Sequence, residues 1–332
     1  MTRRIAFVTG GAGFIGSNIV AKLTEDPSLD VVVCDWLQEA ELGKWRNIAK
    51  HPIGDFVAPE NMFDWLEKRW RDIEIVVHMG AISSTTEPDA DKIIHANFTL
   101  SRDLFRWCAD RQRRFVYASS AATYGDTTDF DDKDDLASLA ALRPLNTYGW
   151  SKALFDLFAA RQAARDYAPP QWVGLKFFNV YGPNEEHKHA MKSVASQIWP
   201  KVAGGQAVQL FKSYREGVAD GGQTRDFVYV GDVADVVAWL ANSEQVNGVY
   251  NLGSGKARTF EDMAKAVFAA AGKPAKIEYT PMPPAIRDKY QYFTQAKMDR
   301  LKAAGFNQPM TPLEDGITDY IQNYLSQPDP YR

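Results

Sequence analysis

The first half of the chain alternates short apolar runs with longer stretches in which apolar residues recur every three or four positions. The runs are rich in β-branched and aromatic residues, and such runs predict buried strands. They cover residues 4–10, 30–36, 73–79, 115–120 and 173–179. The helical recurrence predicts helices at residues 14–26, 60–70, 97–111 and 147–167. Alternation of strand and helix is typical of a doubly wound α/β fold with a parallel sheet, which we expect here.

A glycine-rich loop, "VTGGAGFIGSNIV", joins the first predicted strand to the first predicted helix. Gly11, Gly13 and Gly16 fit G-x-G-x-x-G, and Gly10, Gly13 and Gly16 fit the related G-x-x-G-x-x-G spacing. Glycines allow a tight turn and a close approach of pyrophosphate, whose charge the helix N-terminus stabilises. The loop therefore predicts a dinucleotide cofactor, NAD or NADP. Its expected contacts here are Gly10, Gly13, Phe14, Ile15 and Gly16.

Asp35 ends the second predicted strand, 19 residues after Gly16. A carboxylate at this place accepts hydrogen bonds from the adenosine ribose and favours NAD, because it repels a 2′-phosphate. Lys44 and Arg46 follow shortly afterwards, and a basic residue can accommodate that phosphate. The sequence leaves NAD and NADP open, with Lys44 either a cofactor contact or a solvated helix charge.

The regular pattern loosens after residue 178. We expect residues 1–178 to form an NAD(P)-binding Rossmann domain, to which residues 226–256 return. Residues 179–225 and 257–332 are then a smaller C-terminal α/β substrate domain. Ligands bind outside the carboxyl ends of the strands in such folds, so the second domain should close over that edge. The glycine-rich segment 213–223 is our candidate for a lid.

The stretch "NTYGWSK" places Tyr148 and Lys152 four residues apart, on one face of a predicted helix. "YASSAATYG" places Ser119, Ser120 and Thr123 at the carboxyl end of a predicted strand. A free tyrosine has a pKa near 10 and is a poor base at neutral pH. A lysine charge beside a nicotinamide ring would lower that pKa toward the working range. Together with the glycine loop, the pair predicts a proton-transfer site.

With these motifs the chain resembles the extended short-chain dehydrogenase/reductase superfamily, in which nucleotide-sugar epimerases and dehydratases use a Tyr-x-x-x-Lys pair and a Ser or Thr. Further stretches, "SSTTE" (83–87), "EHK" (186–188) and "YQYFTQAK" (290–297), resemble the epimerases that act on an ADP-heptose. The resemblance implies inversion of a side-chain carbon of that ADP-sugar through transient oxidation and re-reduction, for the lipopolysaccharide inner core. It also implies one tightly bound NAD or NADP per subunit and a homo-oligomer.

The resemblance assigns roles to individual residues. Ser120, Tyr148 and Lys152 match a catalytic triad, Lys188 matches a second acid/base on the other side of the substrate, and Asn97 matches a cofactor contact. Arg225 matches the residue at the diphosphate, and a guanidinium suits bidentate phosphate pairing. The implied substrate contacts are Ser83, Ser120, Asn179, His187, Arg225, Tyr290 and Gln291. The simpler alternatives are a local Arg225–Asp226 ion pair and a solvated loop around Lys188.

Two single positions and one longer stretch depart from the family's pattern. Met79 replaces a glutamate, Trp36 replaces an asparagine after Asp35, and "GPNEEHKHAM" differs from the usual "GPREGHKGSM" around Lys188. The first two changes bear on the cofactor preference and the third on the substrate. Two other classes of nucleotide-sugar enzyme therefore stay open. One is a UDP-hexose 4-epimerase. The other, a 4,6-dehydratase, is less favoured because "SSAATYG" lacks an Asp-Glu pair. An alternative from another functional class is a non-catalytic regulator that senses NAD(P). Such a protein would tend to lose Tyr148 or Lys152.

Composition and charge narrow the partners. The formal net charge of −4 offers no basic surface for nucleic acid or anionic lipid. No apolar window is long enough for a membrane span, and the two cysteines, Cys34 and Cys108, lie too far apart in sequence to suggest a disulfide framework. His187 and His189 flank Lys188 without an evident third ligand, so we expect no metal. These features predict a cytoplasmic protein that acts on a small molecule.

Overall fold

A computed structural model describes residues 4–37, 41, 43–287 and 290–332 of the chain. Twelve strands are numbered in chain order: β1 (Arg4–Thr9), β2 (Leu29–Cys34), β3 (Asp55–Val57), β4 (Ile73–His78), β5 (Arg114–Ser120), β6 (Trp172–Phe177), β7 (Asn179–Tyr181), β8 (Val208–Phe211), β9 (Thr224–Tyr229), β10 (Gly248–Leu252), β11 (Ala257–Thr259) and β12 (Ile277–Thr280). Seven of them form a parallel main sheet in the order β10-β6-β5-β4-β1-β2-β3. The predicted doubly wound parallel sheet is confirmed.

The central strands of the main sheet are buried on both faces, as their nearly continuous apolar runs require. All five predicted strands lie in this sheet. The strand β3 was not predicted, because it has only three residues and two of them, Asp55 and Phe56, are exposed. Such a short edge strand carries no run of apolar residues that could reveal it.

The described residues contain twelve α-helices, also numbered in chain order: α1 (Phe14–Leu23), α2 (Met62–Arg69), α3 (Ala90–Ile94), α4 (Leu100–Arg111), α5 (Leu136–Ala141), α6 (Thr147–Ala163), α7 (Val194–Ala203), α8 (Val230–Ala241), α9 (Phe260–Ala270), α10 (Pro284–Arg287), α11 (Asp299–Ala303) and α12 (Leu313–Tyr320). Apolar side chains of α1 and α8 form a core on one face of the main sheet. Those of α2, α4 and α6 form a core on the other face. The helices predicted around residues 14, 60, 97 and 147 correspond to α1, α2, α4 and α6.

Two smaller sheets and a third core lie outside the main sheet. One small sheet has the order β11-β9-β7, the other pairs β12 with β8, and α7, α9 and α12 pack around them. The segment 226–256 divides between the two regions: the end of β9 belongs to a small sheet, whereas α8 packs on α1 and β10 forms the edge of the main sheet. The chain thus crosses to the second region after β6 and returns with α8.

The segment 213–223 connects β8 to β9. Two hydrogen bonds link the ends of this loop. Ser213 N donates to Asp220 Oδ1 (2.7 Å), and Gly221 N donates to the Phe211 carbonyl (3.1 Å). Its closure over a ligand stays a prediction. In the part of the chain that the structure describes, no helix combines the length and the apolar character needed to cross a bilayer.

Candidate active site

The loop between β1 and α1, residues 10–16, is a compact turn that only glycine allows at two places. Gly10 has φ 65°, and a Cβ there would lie 2.6 Å from Gly80 N. A Cβ on Gly16 would overlap the Gly10 carbonyl oxygen, so α1 can pack closely against the turn. At Gly13, by contrast, a Cβ would meet only that carbonyl oxygen, at 3.1 Å, and would otherwise project into open space.

This glycine turn suits an anionic group. The N-cap of α1 is Gly13, which provides no side-chain cap, and the first turn of the helix carries no acidic residue. The free N–H groups and the helix dipole therefore favour a phosphate, and the missing Cβ at Gly13 leaves it room. The residues present fit the pyrophosphate of a dinucleotide, and Phe14 and Ile15 form the beginning of the helix beside it.

Asp35 lies at the end of β2, next to the glycine turn. Its Oδ2 accepts a hydrogen bond from Ala12 N (3.0 Å), and its Oδ1 lies 2.6 Å from Lys44 Nζ. Lys44 also donates to the Trp36 carbonyl (2.7 Å), and its side chain is largely buried. Lys44 is therefore held at the acid rather than solvated, whereas Arg46 stacks over two aromatic rings.

Asn47 joins the glycine turn to the segment that carries Lys188. It is fully buried, and its Nδ2 donates to the Ala12 carbonyl (2.8 Å) and lies 3.2 Å from His187 Nδ1. Asn184 adds a second link through Ser17 Oγ (3.0 Å). No sequence motif marked these two asparagines, because the groups that they contact lie 35 to 167 residues away in the sequence.

Asn97 has its amide satisfied within the protein. Its Oδ1 accepts from Ile82 N (2.8 Å), and its Nδ2 donates to the Ile82 carbonyl (2.9 Å) and to Ser151 Oγ (3.1 Å). It thereby ties the loop after β4 to α6, and its side chain is completely buried. A direct cofactor contact of this residue stays a prediction.

The carboxyl end of β5 and the beginning of α6 bring together Ser120, Tyr148 and Lys152. Asn146 caps α6 by accepting a hydrogen bond from Gly149 N (2.8 Å), which fixes the first turn. The Ser120 hydroxyl lies near the Tyr148 side chain and acts to lower its pKa. Lys152, one turn later, is buried, and its Nζ donates to the Ala118 carbonyl (2.8 Å). The predicted triad therefore lies at one point of the sheet edge.

Burial shifts the pKa values of both Lys152 and Tyr148. It lowers the pKa of Lys152 to about 8, against the opposing charge of Asp156. It raises the pKa of Tyr148, and the nearby Ser120 hydroxyl opposes this shift while the Asp156 charge reinforces it. The protein alone therefore keeps Tyr148 as a phenol, and a positive charge beside it is needed to favour the phenolate.

Lys188 lies in a short 3₁₀ segment, Glu186–Met191, beside the glycine turn. Its Nζ is 4.7 Å from the ring centroid of Phe14 and 4.0 Å from Glu185 Oε2. Burial lowers the pKa of Lys188, and the charge of Glu185 opposes the shift. Lys188 is thus a half-buried amine near the predicted cofactor loop rather than a solvated loop residue.

His187 is held neutral beside Lys188. Burial, with the charges of Lys44 and Lys188, lowers its pKa to about 4. His189 is exposed and has the left-handed backbone value φ 48°. Within residues 4–37, 41, 43–287 and 290–332, no group of three or more His, Cys, Asp or Glu residues is arranged to hold a metal ion.

On the substrate side, Arg225 is a nearly buried cation held by aromatic rings. Its guanidinium carbon lies 5.2 Å from the Tyr290 ring and 5.5 Å from the Phe260 ring. Among the residues that the structure describes, no carboxylate lies within 4.0 Å of its nitrogen atoms. The neighbouring Asp226 instead accepts hydrogen bonds from backbone N–H groups, including Ser254 N (2.6 Å). The local ion pair considered from the sequence is therefore wrong.

Two further arginines, which the sequence patterns did not indicate, lie in this region. Arg215 stacks on Tyr292 at 5.5 Å, and Arg287 on Tyr214 at 3.7 Å. Gln291 Nε2 donates to the carbonyl of Gly125 (3.2 Å), just beyond β5. A cavity of about 330 Å³ is lined here by Asp126, Thr127, Thr128, Arg215, Gln291, Tyr292 and Phe293.

The remaining predicted contacts, Ser83 and Asn179, are exposed. Ser83 lies in the loop that follows β4, and Asn179 opens β7 directly after β6. Both therefore lie beyond the carboxyl ends of main-sheet strands, on the same edge as Tyr148 and the glycine turn.

The main sheet, the glycine turn and the Tyr148–Lys152 pair define an enzyme fold of the short-chain dehydrogenase/reductase type. The chain belongs to the NAD dependent epimerase/dehydratase family, which it matches over residues 6–253. The resemblance found from the motifs is confirmed.

Individual relatives cover nearly the whole chain. An ADP-L-glycero-D-manno-heptose-6-epimerase from Nitratidesulfovibrio vulgaris is 47% identical over 327 residues, which are 98% of this chain and 99% of that protein. The crystal structure of the Helicobacter pylori ADP-L-glycero-D-manno-heptose-6-epimerase is similar with a TM-score of 0.80 and 28% identity, over 97% of this chain and 96% of that one. The Thermus thermophilus UDP-glucose 4-epimerase in complex with NAD is similar with a TM-score of 0.70 and 28% identity, over 95% and 96%.

Proposed function

We propose that this protein is an ADP-heptose epimerase, which inverts the side-chain carbinol carbon of ADP-D-glycero-D-manno-heptose for lipopolysaccharide inner-core synthesis. The 47% identity to an ADP-L-glycero-D-manno-heptose-6-epimerase over 98% of the chain supports this substrate. The structural observation that carries the proposal is the presence of two groups that can exchange a proton, Tyr148 at the beginning of α6 and Lys188 on the segment that contacts Phe14 of the glycine turn.

The cofactor would be NAD or NADP, one bound tightly per subunit of a homo-oligomer. Gly10, Gly13, Phe14, Ile15 and Gly16 would hold its pyrophosphate, Asp35 and Lys44 its adenosine ribose, and Asn97, Tyr148 and Lys152 its nicotinamide half. When bound, it supplies reversible acceptance of the hydride from the carbinol carbon.

The chain's own residues move the hydroxyl proton. Ser120, whose hydroxyl lies near Tyr148, would hold the substrate oxygen while the phenol exchanges its proton. Lys152 would supply the positive charge that stabilises the phenolate. Lys188 would exchange a proton from the other side, because a carbinol carbon that is rebuilt with the opposite configuration presents its oxygen in a different place. Burial lowers the pKa of Lys188 and makes it a better base than a solvated lysine.

Positive charge on aromatic supports would bind the ADP diphosphate. Arg225 has no carboxylate partner among the described residues and is shielded from water by Tyr290 and Phe260, so it can pair with phosphate at little cost. Arg215, on the candidate lid, would add a second cation. The sugar-side contacts would be Ser83, Asn179, His187, Tyr290 and Gln291.

The test is incubation of the purified protein and cofactor with ADP-D-glycero-D-manno-heptose, followed by NMR of the side-chain carbon. We expect the L-glycero epimer to appear, and a Tyr148→Phe preparation to leave the spectrum nearly unchanged. Conversion of UDP-glucose to UDP-galactose without any change in the ADP-heptose would identify a UDP-hexose 4-epimerase instead. Binding of cofactor with no turnover of either sugar would identify a non-catalytic NAD(P) sensor.

A further inference from the structure

A fully buried carboxylate lies one helical turn beyond the Tyr148–Lys152 pair. Asp156 on α6 is 0% exposed and accepts three hydrogen bonds or ion-pair contacts. The donors are Tyr117 OH at 3.0 Å, Ser119 Oγ at 2.7 Å and Lys176 Nζ at 3.0 Å. The negative charge is thus surrounded by donors that the protein itself provides.

The cation of this pair comes from the neighbouring strand. Lys176 is the second-last residue of β6. Its side chain is 1% exposed, and it pairs in register with Ser119 of β5. Its Nζ also donates to Thr123 Oγ1 (2.7 Å) and lies 4.8 Å from the Tyr124 ring centroid. Lys176 therefore connects Asp156 to the hydroxyl-bearing end of β5.

The pair is close to the catalytic lysine without being bonded to it. Asp156 follows Lys152 by four residues and Tyr148 by eight, so all three project from one side of α6. Lys152 Nζ is nevertheless bonded to the Ala118 carbonyl, and within the described residues no carboxylate lies within 4.0 Å of it. A buried carboxylate needs a cation, and Lys176 fills that need in place of Lys152.

We propose that Lys176 is a positioning residue of the active site, which neutralises Asp156 so that Lys152 stays available to Tyr148. This inference concerns the site of the proposed function, and it predicts that each charge of the pair controls the protonation of Lys152 with opposite sign.

The other groups that face Lys152 do not supply a competing charge. His78 on β4 is buried, and its pKa is lowered to about 3 by that burial, so it is neutral at neutral pH. Burial raises the pKa values of Tyr117 on β5 and Tyr124 beyond it well above the ordinary value, so both remain phenols. Asp156 is therefore the charged residue that acts on both Lys152 and Tyr148, and Lys176 is its ion-pair partner.

A direct test measures the titration of Lys152 without using substrate. Lysine labelled with ¹³C at Cε is observed by NMR as a function of pH, and the Lys152 resonance is assigned from its loss in Lys152→Arg. In Lys176→Met the unneutralised carboxylate should raise the Lys152 pKa by about one unit. In Asp156→Asn the remaining ammonium should lower it by a similar amount. The double variant, which has neither charge, should return it close to the wild-type value.

Matched variants separate this effect from general destabilisation. Arg114 is a buried cation paired with Glu74 (2.7 Å) at the opposite end of β5, so Arg114→Met should reduce stability without shifting Lys152. Lys176→Arg, which keeps the charge, should retain the wild-type titration. If Lys176→Met does not fold, the lowered Lys152 pKa in Asp156→Asn and its return toward the wild-type value in the double variant decide the question.

Kinetics give a second reading that depends on the proposed function. The acidic limb of kcat/KM against pH should move to higher pH in Lys176→Met and to lower pH in Asp156→Asn. Shifts of the same sign in both variants, or an unchanged Lys152 titration in folded Asp156→Asn, would overturn the role of Lys176. The Lys152 pKa could shift in opposite directions in the two variants, as expected, while the wild-type protein does not turn over ADP-heptose. That result would refute the proposed function but would still support the role of Lys176.

Discussion

Lys44 Nζ lies 2.6 Å from Asp35 Oδ1, at the end of β2 where the adenosine ribose of a dinucleotide would lie. The two side chains are largely buried, so their charges interact more strongly than those of a surface pair. An acid at this place disfavours a 2′-phosphate, but an acid neutralised by lysine does so much less. We therefore expect the Asp35–Lys44 pair to influence how well the protein distinguishes NADP from NAD.

Replacement of Lys44 by methionine should shift this preference toward NAD. The freed Asp35 carboxylate would repel a 2′-phosphate, so we expect the ratio of the NADP Kd to the NAD Kd to rise about tenfold, which corresponds to about 1.4 kcal/mol. Calorimetric titration of both cofactors measures it. Lys265→Met is the matched control, because Lys265 forms an equally short pair with Glu261 (2.6 Å) on the distant α9. A ratio that stays constant in Lys44→Met would show that the pair lies away from the 2′-position.

Loss of the Tyr148 hydroxyl should abolish proton transfer and spare the fold. General acid–base groups contribute about 10²–10⁴-fold to rate, so kcat of Tyr148→Phe should fall by that factor while the cofactor Kd stays nearly constant. The epimerisation assay by NMR measures the first quantity and calorimetry the second. Tyr167→Phe, which removes a surface hydrogen bond to Asp110 (2.9 Å), should keep full activity. Wild-type turnover in Tyr148→Phe would remove Tyr148 from the mechanism.

A methyl group at Gly13 should block the cofactor more than it harms the protein. A Cβ there meets only the Gly10 carbonyl oxygen, at 3.1 Å, so the free energy of unfolding should change by about 1 kcal/mol or less. The same methyl fills the space left for pyrophosphate, and we expect cofactor affinity to fall at least about tenfold. Thermal unfolding and cofactor titration measure the two effects.

Gly204→Ala is the control for this substitution, since Gly204 follows α7, has φ −77° and has its nearest neighbour at 3.4 Å. It should leave both quantities close to wild type. Unaltered cofactor affinity in Gly13→Ala would place the pyrophosphate elsewhere.

Buried His78 should make the protein less stable in acid. Its pKa is lowered to about 3, so between about pH 6.5 and pH 3 the unfolded chain holds a proton that the folded chain lacks. Stability contributed by this residue therefore decreases as pH falls through that window, by about 1.4 kcal/mol per pH unit. Urea unfolding at pH 7 and pH 5 should show a smaller difference in His78→Asn than in wild type.

Exposed His95→Asn is the control for that comparison and should keep the wild-type difference. An equal pH dependence in wild type and His78→Asn would mean that His78, which lies 2.6 Å from Thr9 Oγ1 and 2.9 Å from Ser101 Oγ, is not the group responsible.

The sequence was most informative where a local pattern determines the structure. Central strands of a parallel sheet must be apolar on both faces, and a glycine turn needs glycine at fixed spacing, so both could be found from the residues alone. The positions of Tyr148 and Lys152 followed from helical spacing in the same way. The division of segment 226–256, with β9 in a small sheet and β10 in the main one, was beyond such patterns, because strand pairing depends on distant residues.

The sequence patterns did not predict the buried Asp156–Lys176 pair for a similar reason, although they contained one indication of it. Lys176 interrupts the apolar run "VGLKFF", and a lysine in a fully buried strand needs a partner. The sequence does not show that this partner is Asp156, since the two residues meet only when β6 and α6 pack on β5. In the same way, Lys44 could not be distinguished from a solvated charge until Asp35 was placed beside it.

Tyr148, Lys152 and Asp156, which act on one another, all belong to the single helix α6. Inserting one residue between positions 152 and 156 would rotate the rest of α6 by about 100° and turn the carboxylate away from β6. The position of α6 along its axis must therefore satisfy two demands at once, one from the residues at the sheet edge and one from the buried ion pair in the interior.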